Sequence, residues 1–122
     1  MLKGPTSTAD SDVQLGFWTY PSSTRMESQA NGSYNSGIGY TYDNTWKHLF
    51  ATYDGSSLKT YINGSLVNTT TISNSLLSRN YLSIGARAYS SSSWASYFKG
   101  EVNDVKLYAT TLSDTEVANL YQ

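Results

Sequence analysis

Residues 46–70, Trp46-Lys47-His48-Leu49-Phe50-Ala51-Thr52-Tyr53-Asp54-Gly55-Ser56-Ser57-Leu58-Lys59-Thr60-Tyr61-Ile62-Asn63-Gly64-Ser65-Leu66-Val67-Asn68-Thr69-Thr70, read as three strands and two tight turns. His48, Phe50 and Thr52 alternate with Leu49, Ala51 and Tyr53, the period of an extended chain. Asp54-Gly55 and Asn63-Gly64 supply residues that tolerate positive φ, which the primed hairpin turns and their variants require. Connections this short cannot cross over to a parallel neighbour. An antiparallel meander is expected, with strands at 46–53, 58–62 and 65–70.

Outward from this meander the same periodicity recurs. Val13-Gln14-Leu15-Gly16-Phe17-Trp18-Thr19-Tyr20 places Val13, Leu15 and Phe17 on one face, and Pro21 closes it because proline cannot donate to a ladder. Between Arg25 and Asp43 two short strands are expected, Ile38 and Tyr40 facing inward on the second, with turns at Asn31-Gly32 and Asn35-Ser36-Gly37. Further strands are expected at Tyr81–Ala86 and Phe98–Tyr108, separated by a serine-rich loop, residues 88–97. At the end, Ser113-Asp114-Thr115-Glu116 has the spacing of a capping box, and Val117 and Leu120 follow at helical spacing. Many strands and one late helix argue for an all-β, antiparallel sandwich in a single domain over 1–122, with residues 1–12 a lead-in or partial first strand.

Composition excludes several function classes. Only 14% of the 122 residues are charged, the net charge is −1, and like charges form no block, so neither nucleic acid nor an anionic membrane is an expected partner. No apolar run reaches the length of a membrane helix, so no membrane insertion is expected. The chain has no cysteine, which removes disulfides and thiol chemistry. Twenty serines, fourteen threonines and nine asparagines carry its polarity, a surface suited to work outside cells or on virions, and the N-terminus lacks the apolar core of a signal peptide. Eleven tyrosines and three tryptophans exceed the needs of one small core, which points to aromatic binding surface.

The motifs also carry a family likeness. Trp46 to Gly55 resembles the W-x-H…T-Y-D-G strand of laminin-G-like domains of the concanavalin A-like lectin/glucanase superfamily. Leu58 to Gly64, Ser83-Ile84-Gly85, Phe98 to Tyr108, Leu112 to Val117 and Gly16 to Pro21 resemble that family's other segments, in the family's order. The resemblance implies a jelly-roll sandwich with one short C-terminal helix. It also implies that Asp104 lies on the strand where relatives join an acidic residue to a calcium site; the opening segment that supplies its partners has no counterpart here, so no cofactor is expected.

Catalytic relatives place paired carboxylates on one strand in an E-x-D-x-x-E pattern. With Glu27, Glu101 and Glu116 as its only glutamates, this chain does not reproduce that pattern, so no catalytic residues and no enzyme activity are expected. His48, the sole histidine, reads as a hydrogen-bonded structural residue, and Trp18 and Trp46 as core or core-rim. The ligand-binding candidates are loop residues: Tyr89, Trp94 and Tyr97 in the serine-rich loop, Tyr34 and Asn35 in the earlier Asn/Gly/Ser loop. Flat rings flanked by hydroxyls and amides match the apolar face and hydroxyl rim of a sugar. The expected function is a non-catalytic carbohydrate-binding or adhesion module of a larger extracellular, cell-surface or phage tail protein, its partner a glycan or cell-surface polysaccharide. A structural virion or fibre domain, paired with sister subunits as a homo-oligomer or with neighbouring domains of a parent protein, is the alternative, and a glycoside hydrolase or lyase the third reading.

Overall fold

The computed structural model describes residues 2–3, 13–20, 25–30, 33–39, 44–72, 84–88, 94–95 and 97–122, with side chains over 44–72, 84–86 and 97–122. Its elements are β1 (Leu2–Lys3), β2 (Val13–Tyr20), β3 (Arg25–Ala30), β4 (Ser33–Gly39), β5 (Leu49–Tyr53), β6 (Ser57–Ile62), β7 (Ser65–Thr71), β8 (Arg87–Ala88), β9 (Trp94–Ala95) and α1 (Asp114–Asn119). Strands β1-β2-β3-β4 form one antiparallel sheet, β5-β6-β7 a second, and β8-β9 a two-stranded ribbon. Strand β4 runs close to β7 and β3 close to β6, which brings the two larger sheets together.

The central meander follows its sequence pattern. Phe50 pairs with Tyr61 and Thr52 with Lys59, while Leu58 pairs with Thr70 and Thr60 with Asn68. Asn63 and Gly64 both have positive φ, 50° and 74°, the requirement of a two-residue type I′ hairpin. At the other turn Asp54 Oδ1 accepts from the Ser56 and Ser57 amides at 2.8 and 2.7 Å, and Gly55 has φ 98°. That Asx-type arrangement explains the aspartate as a turn residue.

Alternation sends Leu58 and Thr60 to one face of β6, both fully buried, and Leu58 packs with Ile72, Ala51 and Tyr53. The opposite face carries His48, Phe50 and Tyr61, and α1 closes it. Ser113 caps the helix: its hydroxyl accepts from the Glu116 amide at 3.3 Å, and Glu116 reaches back to the Ser113 amide at 2.7 Å. Val117 is fully buried, and the ring of Tyr121 lies 5.9 Å from that of His48. Gly64 permits this approach, because a Cβ there would stand 3.0 Å from Tyr121 Cβ and 3.3 Å from Ala118 Cα.

The structure corrects four expectations. Residues 98–108 form no strand; residues 101–108 are exposed throughout and belong to no ladder. The hydrophobic pattern is present there, but no ladder among the described residues includes it, and a strand needs a neighbour as well as a pattern. Residues 84–86 form a bend, with Gly85 at φ 76°, where a strand end was expected. Asn35-Ser36-Gly37 lies within β4 rather than in a turn. Trp46 precedes β5 and is 65% exposed, so it is neither core nor core-rim. The expected turn at 31–32, inward Tyr40 and strand residues 81–83 lie outside the described residues, as does the side chain of Trp18.

Candidate functional site: an aromatic hairpin

The serine-rich segment is closed at its base. Arg87 pairs with Ala95 and Ala88 with Trp94, and the Phe98 amide donates to the Gly85 carbonyl at 2.7 Å. Strand β9 carries Trp94, and Tyr97 follows three residues on. Tyr97 is 74% exposed, the most exposed large aromatic among the described residues. A tyrosine ring exposed to water offers a face that can stack on an apolar ligand face.

Of the five candidates read from sequence, the structure places Trp94 on β9 and Tyr97 just beyond it. Trp94 lies in a short strand where a loop was expected, and its side chain lies outside the described residues, as does all of Tyr89. Tyr34 and Asn35 are also strand residues, opposite Gln29 and Ser28 in the β3–β4 ladder, which corrects their placement in a loop. Sequence reasoning missed Trp46 as a surface aromatic. Its signal was the polar flank, Asn44-Thr45 before it and Lys47 after, where Asn44 turns the chain with φ 56° and the Lys47 ammonium donates to Thr45 Oγ1.

Several charged groups of the described region serve local structure. Asp114 Oδ1 accepts from Lys59 Nζ at 2.7 Å and from the Tyr61 hydroxyl at 2.8 Å, and the hydrogen bond from Lys59 holds its carboxyl below the ordinary value. The Ser56 amide lowers Asp54 in the same way, and Ser113 lowers Glu116. Burial pushes the Tyr61 phenol up. Asp104 pairs with Lys106 at 2.9 Å, and among the described residues no three His, Asp or Glu side chains converge as metal ligands. His48 stacks against Phe50 at 6.2 Å, its Nδ1 is buried without a hydrogen-bond partner, and its backbone amide donates to Asn63 Oδ1 at 3.0 Å.

Two antiparallel sheets lie close together, with one capped helix at Asp114–Asn119. The family model described as the concanavalin A-like lectin/glucanases superfamily matches residues 4–118, and the chain belongs to that superfamily, whose fold is a β-sandwich. Among solved structures it is similar to an S-layer domain-containing protein (residues 221–444) from Clostridium thermocellum, at 20% identity and a TM-score of 0.56, covering 96% of this chain and 67% of that one. Comparison with curated protein sequences gave no match.

Proposed function

We propose that the protein is a non-catalytic carbohydrate-binding or adhesion module of jelly-roll type that works at a cell surface or outside the cell. The observation that carries this reading is Tyr97, 74% exposed just beyond β9, the strand that carries Trp94. An exposed ring beside a paired strand suits a sugar, which offers C–H groups to the ring face. Membership of a lectin-containing superfamily and likeness to an S-layer domain-containing protein are consistent with this setting.

Three of the carboxylates with described side chains agree with a non-catalytic reading. A glycosidase needs an acid whose pKa is raised and a second carboxylate beside it. Asp54, Asp114 and Glu116 are instead shifted down by donors that hold them ionised.

The test is glycan-array binding by the wild type and by Tyr97→Ala and Trp94→Ala, with circular dichroism as a check on folding. Binding by the wild type and a loss of at least about tenfold in the variants, about 1.4 kcal/mol, is the expected result. A folded wild type that binds no glycan overturns the reading, and polysaccharide turnover overturns its non-catalytic part.

A further inference from the structure

The segment 101–108 is the least explained part of the described surface. Val102, Val105 and Leu107 are 52, 49 and 61% exposed, and no backbone hydrogen bond among the described residues uses this ribbon. Its C-terminal end is anchored beside β5, where the Tyr108 ring lies 5.7 Å from Phe50 and the Thr111 hydroxyl donates to the Tyr53 carbonyl at 2.9 Å. The ribbon is therefore anchored at one end, and among the described residues its backbone donors and acceptors have no backbone partner, a template for another strand.

Asp104 sets the pattern of side chains along it. In a regular strand Val102 and Val105 would face opposite ways, because alternation has period two. Asp104 has φ 53°, a left-handed residue of the kind that makes a β-bulge and adds one extra residue to the alternation. Asn103 and Asp104 then count as one position. Val102, Val105 and Leu107 fall on one face, while Glu101, Asp104 and Lys106 fall on the other. The Asp104–Lys106 ion pair, 2.9 Å long, agrees with those two side chains sharing a face.

A ribbon so patterned is complementary to itself. When two copies run antiparallel about a two-fold axis at Val105, that valine meets its equivalent and Val102 meets Leu107. The same register sets Asp104 of each copy opposite Lys106 of the other, so every acid-to-base pairing at the centre is favourable. Other even registers lose this match; centring on Asp104, for instance, opposes two carboxylates. The geometry points to residues 101–108 as an isologous homodimerisation edge, in which two copies of this chain add strand to strand. One strand pair is smaller than the interface of a stable dimer, so the association is weak and follows concentration. This inference does not rest on sugar binding, and neither result decides the other.

Sedimentation equilibrium of the whole chain from about 10 μM to 1 mM tests it, a range that reaches the weak end of specific association. The wild type is expected to move from monomer to dimer, and Val105→Lys to weaken the dimer at least tenfold by opposing two ammonium groups at the axis. Asp104→Lys and Lys106→Asp are each expected to stay monomeric, since each sets like charges across the two-fold. An equimolar mixture of these two variants restores opposite charges at both positions and is expected to form a heterodimer, which also shows that both are folded. A wild type monomeric throughout the range, single variants that dimerise like the wild type, or a mixture that does not associate each overturns the proposal.

Discussion

Lys59 Nζ lies 2.7 Å from Asp114 Oδ1, joining the middle strand of the β5-β6-β7 meander to the first residue of the terminal helix. The Tyr61 hydroxyl donates to the same oxygen at 2.8 Å. One carboxylate thus fastens two residues of one strand face to α1, and it also sits where the helix N-terminus favours negative charge.

That arrangement makes stability depend on acid. Donors depress the pKa of Asp114, Asp54 and Glu116 below their ordinary values, so the folded chain binds protons on them less readily than the unfolded chain. Their contribution is full above the ordinary carboxylate range, near about 4, and is lost as pH falls through the depressed values. Lys59 is raised by Asp114, so its contribution is full below the ordinary lysine value and disappears as pH climbs past the raised one. All these groups are exposed, which keeps the effect small. Urea denaturation from neutral pH downward should show a shallower acid limb for Asp114→Asn than for the wild type; parallel limbs would count against the clamp.

Leu58 is fully buried against Ile72 and the partly buried Ala51 and Tyr53. Leu58→Ala should cost about 2–5 kcal/mol, from lost transfer energy and the cavity left behind. A fall in the urea midpoint with an unchanged slope is the expected readout, and a change near zero would place the core elsewhere.

Ser113 serves both halves of the capping box. Ser113→Ala should cost about 1 kcal/mol and raise amide exchange at Glu116, whose N–H loses its acceptor. Exchange confined to the helix would separate loss of the cap from global unfolding.

Gly55 and Gly64 both carry positive φ, yet they differ in surroundings. Gly55→Ala meets nothing within 4 Å and pays backbone strain alone, roughly 1 kcal/mol, whereas Gly64→Ala must also displace α1 at Tyr121 and Ala118. Thermal melts should rank Gly64→Ala clearly below Gly55→Ala. Equal melting temperatures would show that the helix does not rest on this turn.

Local chemistry made part of this fold readable in advance. The meander was legible because Asp54-Gly55 and Asn63-Gly64 fix where the chain reverses, and a fixed turn leaves one register between its strands. The helix was legible because Ser113 and Glu116 satisfy each other's neighbours without help from the rest of the chain. Residues 98–108 were misread as a strand because Val102, Val105 and Leu107 supply the pattern but not the partner. Trp46 was misread because size and aromaticity say nothing about whether a ladder has yet begun, and it begins three residues later at Leu49. For the candidate site, the sequence marked Trp94 and Tyr97 by type, but not the β8–β9 pairing that puts Trp94 on a strand. Tyr34 and Asn35 stood among turn-forming neighbours and proved to be strand residues, since pairing with β3 outweighs the preference of Asn and Gly for turns.

The Asn63 turn has a further consequence, for the chemical ageing of the chain. Asparagine is among the thermolabile residues, and it deamidates when the next amide nitrogen attacks its side-chain carbonyl carbon. Here Asn63 Oδ1 is held by the His48 amide at 3.0 Å, the Asn63 amide donates to the His48 carbonyl at 2.9 Å, and Gly64 lies under Tyr121. Cyclisation therefore waits for the turn to open, and isoaspartate at position 63 becomes a clock for that opening. In peptide maps of stored protein the clock should run faster in Ser113→Ala, whose loosened helix no longer weighs on the turn.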